Sequence, residues 1–246
     1  LRTIEDSDRL KVAISAGARL GVVGAGWIGL EVAAAAREAG CAVTVFEQAQ
    51  LPLLGVLGPE VAQAFADLHR AHGVELRLGS SVGAGDLREF DLLVVGVGVA
   101  PSTELAEAAG LAVDNGVLVD TRLRTSDRDV YAIGDIANHD HPVLGRRVRV
   151  EHWETAIEQG KTAAHNLAGG DEPYERLPYF FTDQYDLGME YVGSVGPEGY
   201  DRVDIDGDLH GTFRAYWVKG GTVVAAMHAN DWDASDAIRE SVGGSR

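Results

Sequence analysis

The stretch VVGAGWIGLEVAAAAREAGCAVTVFEQ, residues 22–48, decides the fold. An apolar run ends in glycines, an alanine-rich segment of helix formers follows over about 27–39, and a second β-branched run closes on an acid. Gly24, Gly26 and Gly29 stand in the spacing G-x-G-x-x-G. A pyrophosphate needs backbone N–H groups and the positive end of a helix, with no side chain in the way. Gly24 permits the tight turn, Gly26 lets phosphates approach, and Gly29 allows close contact of helix on strand, helped by the alanines at 33–36. Glycine spacing alone is a weak signal. Its place between a strand and a helix, with Glu47 standing 23 positions after Gly24 at the end of the next strand, makes it specific. A carboxylate at 47 accepts hydrogen bonds from both hydroxyls of an adenosine ribose and repels a 2′-phosphate, and Gln48 and Ala49 offer that phosphate no arginine. The ligand is therefore NAD in preference to NADP, or the ADP half of FAD; the motif leaves both open.

Outward from this stretch the pattern repeats. A short amphipathic helix is expected at 3–16, capped by Thr3 or Ser7, and another helix at 59–72 with Val61, Phe65 and Leu68 on one face. VELRLG (74–79) alternates like a strand and DLLVVGVGV (91–99) is a solidly apolar one. Strand, helix, strand, helix, strand is the parallel doubly wound pattern. Gly96, Val97 and Gly98, with Pro101, lie where the last of these strands ends, the edge at which open α/β sheets hold ligands. Beyond it, GVLVDTRLRTSDRDVYAIGDIA (116–137) reads as two short strands flanking a polar turn, and a helix begins near Glu154. From about 172 the pattern is antiparallel: MEYVGSV, YDRVDID, HGTFRAYWV and TVVAAMH are strands separated by glycine turns, with Asp206-Gly207 suited to a tight hairpin.

Composition sets the bounds. A length of 246 residues with 46% hydrophobic content describes a globular protein of two compact domains or so, and no run approaches the roughly 18 apolar residues of a membrane span. The net charge of −17 argues against nucleic acid. Cys41, the one cysteine, excludes an internal disulfide or dithiol pair; it reads as a small buried strand residue in a reducing cytoplasm. RVDIDGD (202–208) lacks the first and last ligands of a calcium loop and reads as a hairpin turn. His139 and His141 read as solvated loop histidines, so no metal site is assigned, and the basic cluster Arg146, Arg147, Arg149 reads as a solvated hairpin in preference to a dock for an acidic partner.

The segment TSDRDVYAIGD (125–135) resembles the second flavin motif of the two-dinucleotide flavoprotein reductases, in which a Rossmann-like FAD domain is interrupted by an inserted NAD domain. In that family the aspartate of this motif binds the ribityl chain of the flavin; Asp135 and Gly134 match it. GVGVAPSTELAEAAGL (96–111) resembles the segment leaving the NAD domain. The glycine motif at 24–29 lies upstream of both, which makes it the second fingerprint of the longer protein and assigns it to NAD. EHWETAIEQGKTAAHNLAG (151–169) and PYFFTDQYDLGMEYVG (178–193) resemble the NADH-dependent ferredoxin and rubredoxin reductases, with the apoptosis-inducing-factor-like proteins as neighbours.

The resemblance implies an α/β fold: a Rossmann-like NAD domain at 1–109 with a linker helix at 1–16, inserted in an FAD-domain remnant at 110–171, followed by an α+β antiparallel interface-like domain at 172–246. It implies NADH and FAD as cofactors and a ferredoxin or rubredoxin-type carrier as partner, with neither nucleic acid nor membrane involved. The first FAD fingerprint is absent from these residues, so the chain reads as a fragment expected to bind FAD poorly alone. Among site residues, Trp27 and Ile28 join the glycines at the dinucleotide. Glu31 matches the glutamate that hydrogen-bonds the nicotinamide carboxamide, Glu151, His152 and Trp153 fall at the flavin, and Phe181 lines its pyrimidine end. No side-chain acid, base or nucleophile is required, Trp153 being the one candidate near the reacting ring. The alternatives are an NADH oxidase or peroxidase and an apoptosis-inducing-factor-like redox-sensing module.

Overall fold

The computed structural model of the chain describes residues 3–83 and 85–246; the first two residues of the expected linker helix lie outside them. Helix α1 (Ile4–Ala13) opens with a capping box in which Thr3 and Asp6 exchange side-chain and backbone hydrogen bonds. It is not the amphipathic helix expected, because none of its residues is buried and Ile4 and Val12 face solvent. Then come β1 (Arg19–Val23), α2 (Trp27–Glu38), β2 (Ala42–Glu47), α3 (Leu54–Ala71), β3 (Glu75–Leu78) and β4 (Leu92–Val95). The four strands make one parallel sheet in the order β3-β2-β1-β4. Its interior is apolar: Leu20, Val22, Val45, Leu30 and Phe65 are fully buried. Strand β4 is the edge, and Leu93 and Val95 are exposed on it.

The middle of the chain supplies α4 (Glu104–Ala108), β5 (Val117–Val119), β6 (Ala137–His141), β7 (Arg146–Val148) and α5 (Trp153–Leu167), with the three strands ordered β5-β6-β7. The remainder supplies β8 (Tyr179–Gln184), β9 (Leu187–Gly193), β10 (Arg202–Gly207), β11 (Phe213–Lys219), β12 (Thr222–Ala229) and α6 (Ser235–Ser241). Its sheet runs β10-β11-β12-β9-β8, antiparallel where β10, β11 and β12 pair. The chain thus joins a Rossmann-like parallel sheet to a C-terminal antiparallel one. Compactness divides it into two units. The first gathers residues 1–98, 181–190 and 197–246; the second gathers 99–180 and 191–196.

Within the first unit α3 is broken at Gly58, whose φ of +75° interrupts the helix just before Pro59. The second stretch therefore starts where the sequence reading put a helix, because proline suits a first helical turn. The break leaves the Leu57 carbonyl without a continuing helical donor, and the indole N–H of the fully buried Trp217 donates to it at 3.0 Å. The Tyr200 hydroxyl lies 1.8 Å from where a Cβ of residue 58 would stand, so a side chain there would expel the tyrosine.

Several local expectations fail for identifiable reasons. Asp206-Gly207 is not a two-residue turn: both residues pair with β11, and the connection spans 208–212. The two-residue turn is Gly220-Gly221, where both glycines have positive φ and Lys219 faces Thr222. The second strand expected at 125–135 reduces to an isolated bridge between Arg124 and Tyr131. His139 and His141 are not solvated; they lie on β6 and are 2% and 1% exposed. The hairpin expected at the arginine cluster is present, β6 and β7 pairing antiparallel with His141 opposite Arg146, though β6 is mostly polar and gave no strand pattern of its own. The arginine cluster serves the second unit itself: Arg147 Nη1 donates to the Val119 and Asn138 carbonyls (3.0 and 2.8 Å), and Arg149 Nη1 donates to the Asp135 carbonyl and to Glu151. Cys41 is buried as expected but stands just before β2 instead of on it, and its thiol donates to the Ser15 carbonyl.

Candidate functional site

A cleft of about 510 Å³ opens at the carboxyl end of the parallel sheet, bordered by Gly24, Gly26, Glu47, Gln48, Gly96 and Val97 among others. The three motif glycines are required for three different reasons. Gly24 has φ of +101°, and a Cβ on it would sit 2.4 Å from the Gly96 carbonyl oxygen. Gly29 lies in the first turn of α2, where a Cβ would sit 2.1 Å from the Gly24 carbonyl oxygen. Gly26 is different. Its backbone is extended, it is the N-cap of α2, and a Cβ on it would meet nothing within 4 Å. Among the described residues no neighbouring atom excludes a side chain there, and the space in front of this helix start is open. The first amides of α2 have no intrahelical acceptors and face the same end of the helix. Trp27 contributes by backbone, since its ring stands edge-on to Phe65 at 5.7 Å. Ile28 is half exposed on the same turn.

Glu47 is held by two main-chain donors. The Ala25 N–H donates to Oε2 at 2.8 Å and the Ala49 N–H to Oε1 at 2.9 Å. The Gly24 N–H donates to the Phe46 carbonyl at 2.8 Å, so the glycine turn and the end of β2 are tied twice. Each carboxylate oxygen keeps a second lone pair toward the cleft, the requirement for a pair of ribose hydroxyls. Gly98, with φ of +109°, completes the β4 rim. Ser80 and Val82 also line the cleft and were not singled out in the sequence. Their place just beyond β3, at the carboxyl edge of a parallel sheet, is the signal that would have found them.

Glu31 does not border the cleft. It stands exposed in the second turn of α2, with one oxygen held by the Thr182 hydroxyl at 2.5 Å. Thr182 is on β8, one residue beyond Phe181, which is 38% exposed. Pro101 is on the loop after β4 and belongs to the second unit.

In the second unit Gly134, Asp135, Glu151, His152 and Trp153 come together where a single 3-10 turn (Gly134–Ile136) meets the start of α5. Gly134 has φ of +71°, its N–H donates to the buried Gln159 side chain at 2.7 Å, and a Cβ would stand 3.1 Å from Ala156. The Asp135 side chain is exposed, while its carbonyl and Glu151 share Arg149. His152 caps α5 by accepting the Glu154 N–H; burial lowers its pKa and Asp135 opposes the shift. Trp153 is 58% exposed. A turn pinned to a helix start, with an outward carboxylate and an outward indole, suits one flank of a flavin and its ribityl hydroxyls. Among the described residues no helix is long and apolar enough to cross a membrane.

Comparison with known proteins agrees with this architecture. The pyridine nucleotide-disulphide oxidoreductase family matches residues 1–160, and the chain belongs to that family. It is 41% identical to the ferredoxin–NAD(+) reductase component of the anthranilate 1,2-dioxygenase system of Burkholderia cepacia, over 94% of this chain and 60% of that protein. It is 36% identical to putidaredoxin reductase of Pseudomonas putida, over 94% of this chain and 58% of the relative. The crystal structure of a covalent putidaredoxin reductase–putidaredoxin complex superposes with a TM-score of 0.90 at 34% identity, covering 100% of this chain and 64% of that one. The chain therefore spans about three fifths of the length of these relatives.

Proposed function

We propose that this chain belongs to an NADH-dependent flavoprotein reductase, with FAD as its flavin, that passes electrons to a ferredoxin- or rubredoxin-type carrier in the cytoplasm. The observation that supports the reading best is Gly26 beside Glu47: a helix start with open space where a side chain would stand, room for a phosphate, next to a carboxylate fixed by two amides. The first unit holds NADH, with the α2 amides on the pyrophosphate, Glu47 on the adenosine ribose and Glu31 on the nicotinamide carboxamide. In the second unit Asp135 holds the ribityl chain, and Glu151, His152 and Trp153 border the ring. FAD held by these residues would supply the hydride acceptance and single-electron release that link a two-electron donor to a one-electron carrier. The protein orients the dinucleotide and contributes no acid, base or thiol. In this reading 1–109, 110–171 and 172–246 are the NAD, residual FAD and interface-like segments.

Equilibrium titration of the chain with NADH and NADPH tests the site. NADH should bind at least about tenfold more tightly than NADPH, and Glu47→Arg should erase or invert that preference. Equal affinities in the unaltered chain would remove Glu47 from the ribose. For the longer flavoprotein, NADH should bleach the flavin and an iron–sulfur carrier should restore it without oxygen. Restoration by oxygen or peroxide alone would assign the oxidase or peroxidase alternative.

A further inference from the structure

Glu31 is the end of a buried chain of hydrogen bonds that runs through three elements of the first unit. Thr182 and Gln184 alternate along β8, so their side chains share one face of the strand. Gln184 Nε2 donates to Thr182 Oγ1 at 3.2 Å, which leaves the threonine proton to go to Glu31 Oε1 at 2.5 Å. Gln184 Oε1 faces Nε2 of His69, on α3, at 2.8 Å, and the Tyr185 hydroxyl stands 3.4 Å from the other ring nitrogen. Thr182, Gln184 and His69 are each at most 1% exposed. Desolvation lowers the His69 pKa, which keeps the ring neutral, with Nε2–H as donor. Every proton in the chain then has one direction: His69 to Gln184 to Thr182 to Glu31. A hydroxyl that accepts from Gln184 in this way can act toward Glu31 only as a donor.

We infer that Thr182, oriented by Gln184 and His69, is a positioning residue that fixes the Glu31 carboxylate as an acceptor for the amide hydrogens of the nicotinamide carboxamide. The inference rests on the reading of the cleft and of Glu31 given above. Its physical content is that an exposed helical carboxylate has several rotamers, and a short charge-assisted hydrogen bond from a buried donor selects one. Specificity follows, because a carboxylate fixed as an acceptor rewards a ligand that offers N–H and gives nothing to one that does not.

The test compares three ligands on the full 246-residue chain: NAD⁺, its 3-acetylpyridine analogue, in which a methyl replaces the amide nitrogen, and ADP-ribose, which lacks the pyridine. Thr182→Val should weaken NAD⁺ about tenfold and leave the analogue and ADP-ribose unchanged, so that discrimination between the two dinucleotides collapses. Thr182→Ser, which keeps the hydroxyl, should restore it. Discrimination unaltered in Thr182→Val, or all three ligands weakened together without rescue by serine, would overturn the inference. If the unaltered chain fails to bind ADP-ribose, the dinucleotide cleft itself is wrong and the inference falls with it.

Discussion

The two compact units solve the problem of burying a backbone in opposite ways. In the first, a four-stranded and a five-stranded sheet satisfy most of the main chain, and the cleft at the carboxyl end of the parallel sheet is bordered largely by glycines together with Glu47. In the second, the strands are three to five residues long, the apolar core is a small cluster around Leu123, Val119 and Tyr174, and side chains complete the hydrogen bonding. Asn166 serves the Arg122 and Glu172 backbone, Asn138 serves the Asp114 carbonyl, His141 the Arg176 carbonyl, and Gln159 the Gly134 amide. A short ladder leaves many orphan groups, and each buried orphan is costly. The glycine turn of the first unit is consequently set by main-chain geometry, and the Gly134 turn of the second depends on particular polar side chains.

Substitutions can break that comparison. The largest effect is expected in the glycine turn. Gly29→Ala drives a methyl into the Gly24 carbonyl and should destabilise the chain by about 3 kcal/mol while abolishing NADH binding, read by denaturant unfolding and titration. Gly26→Ala should leave the unfolding free energy within about 1 kcal/mol and still weaken NADH at least about tenfold. Equal stability losses in the two variants would show that Gly26 has a structural duty and that the cleft was misread.

Next is the pH response of the second unit. Burial, with His141 in second place, pushes the His139 pKa down to about 4 from its ordinary 6.5. The unfolded imidazole takes up a proton that the folded one refuses, so the contribution is fully present above about 6.5 and is lost as pH falls toward 4, at most about 3 kcal/mol. Thermal unfolding followed across that window should show the decline, and His139→Phe should flatten it; an unchanged slope in the variant would locate the proton elsewhere. The smallest expected effect sharpens the contrast. Gln159→Leu leaves the Gly134 amide buried without an acceptor and should cost about 1–3 kcal/mol, with the dinucleotide affinity of the first unit untouched.

Legibility in the sequence followed the same division. The glycine turn, Glu47 and the alternation of strand and helix were readable because parallel strands are apolar runs and phosphate turns need glycine at fixed offsets. The hairpin at the arginine cluster was readable too, but strand β6 was not, since ANHDH carries no apolar period; what buries His139 and His141 is their neighbours in space. Glu31 could be picked out by resemblance, but its donor Thr182 lies 151 residues further along the chain, and no local pattern connects them.

The sequence by itself determined the parallel sheet, the glycine turn and the acid that closes β2, because spacing along one chain segment is enough to specify a turn, a helix start and the next strand. Only the tertiary structure decided that Gly26 has no internal reason to be glycine, that the arginine cluster serves its own backbone, and that Glu31 ends a buried hydrogen-bond chain. Those facts are about which atoms meet across distant segments, and the period of a sequence carries no information on that.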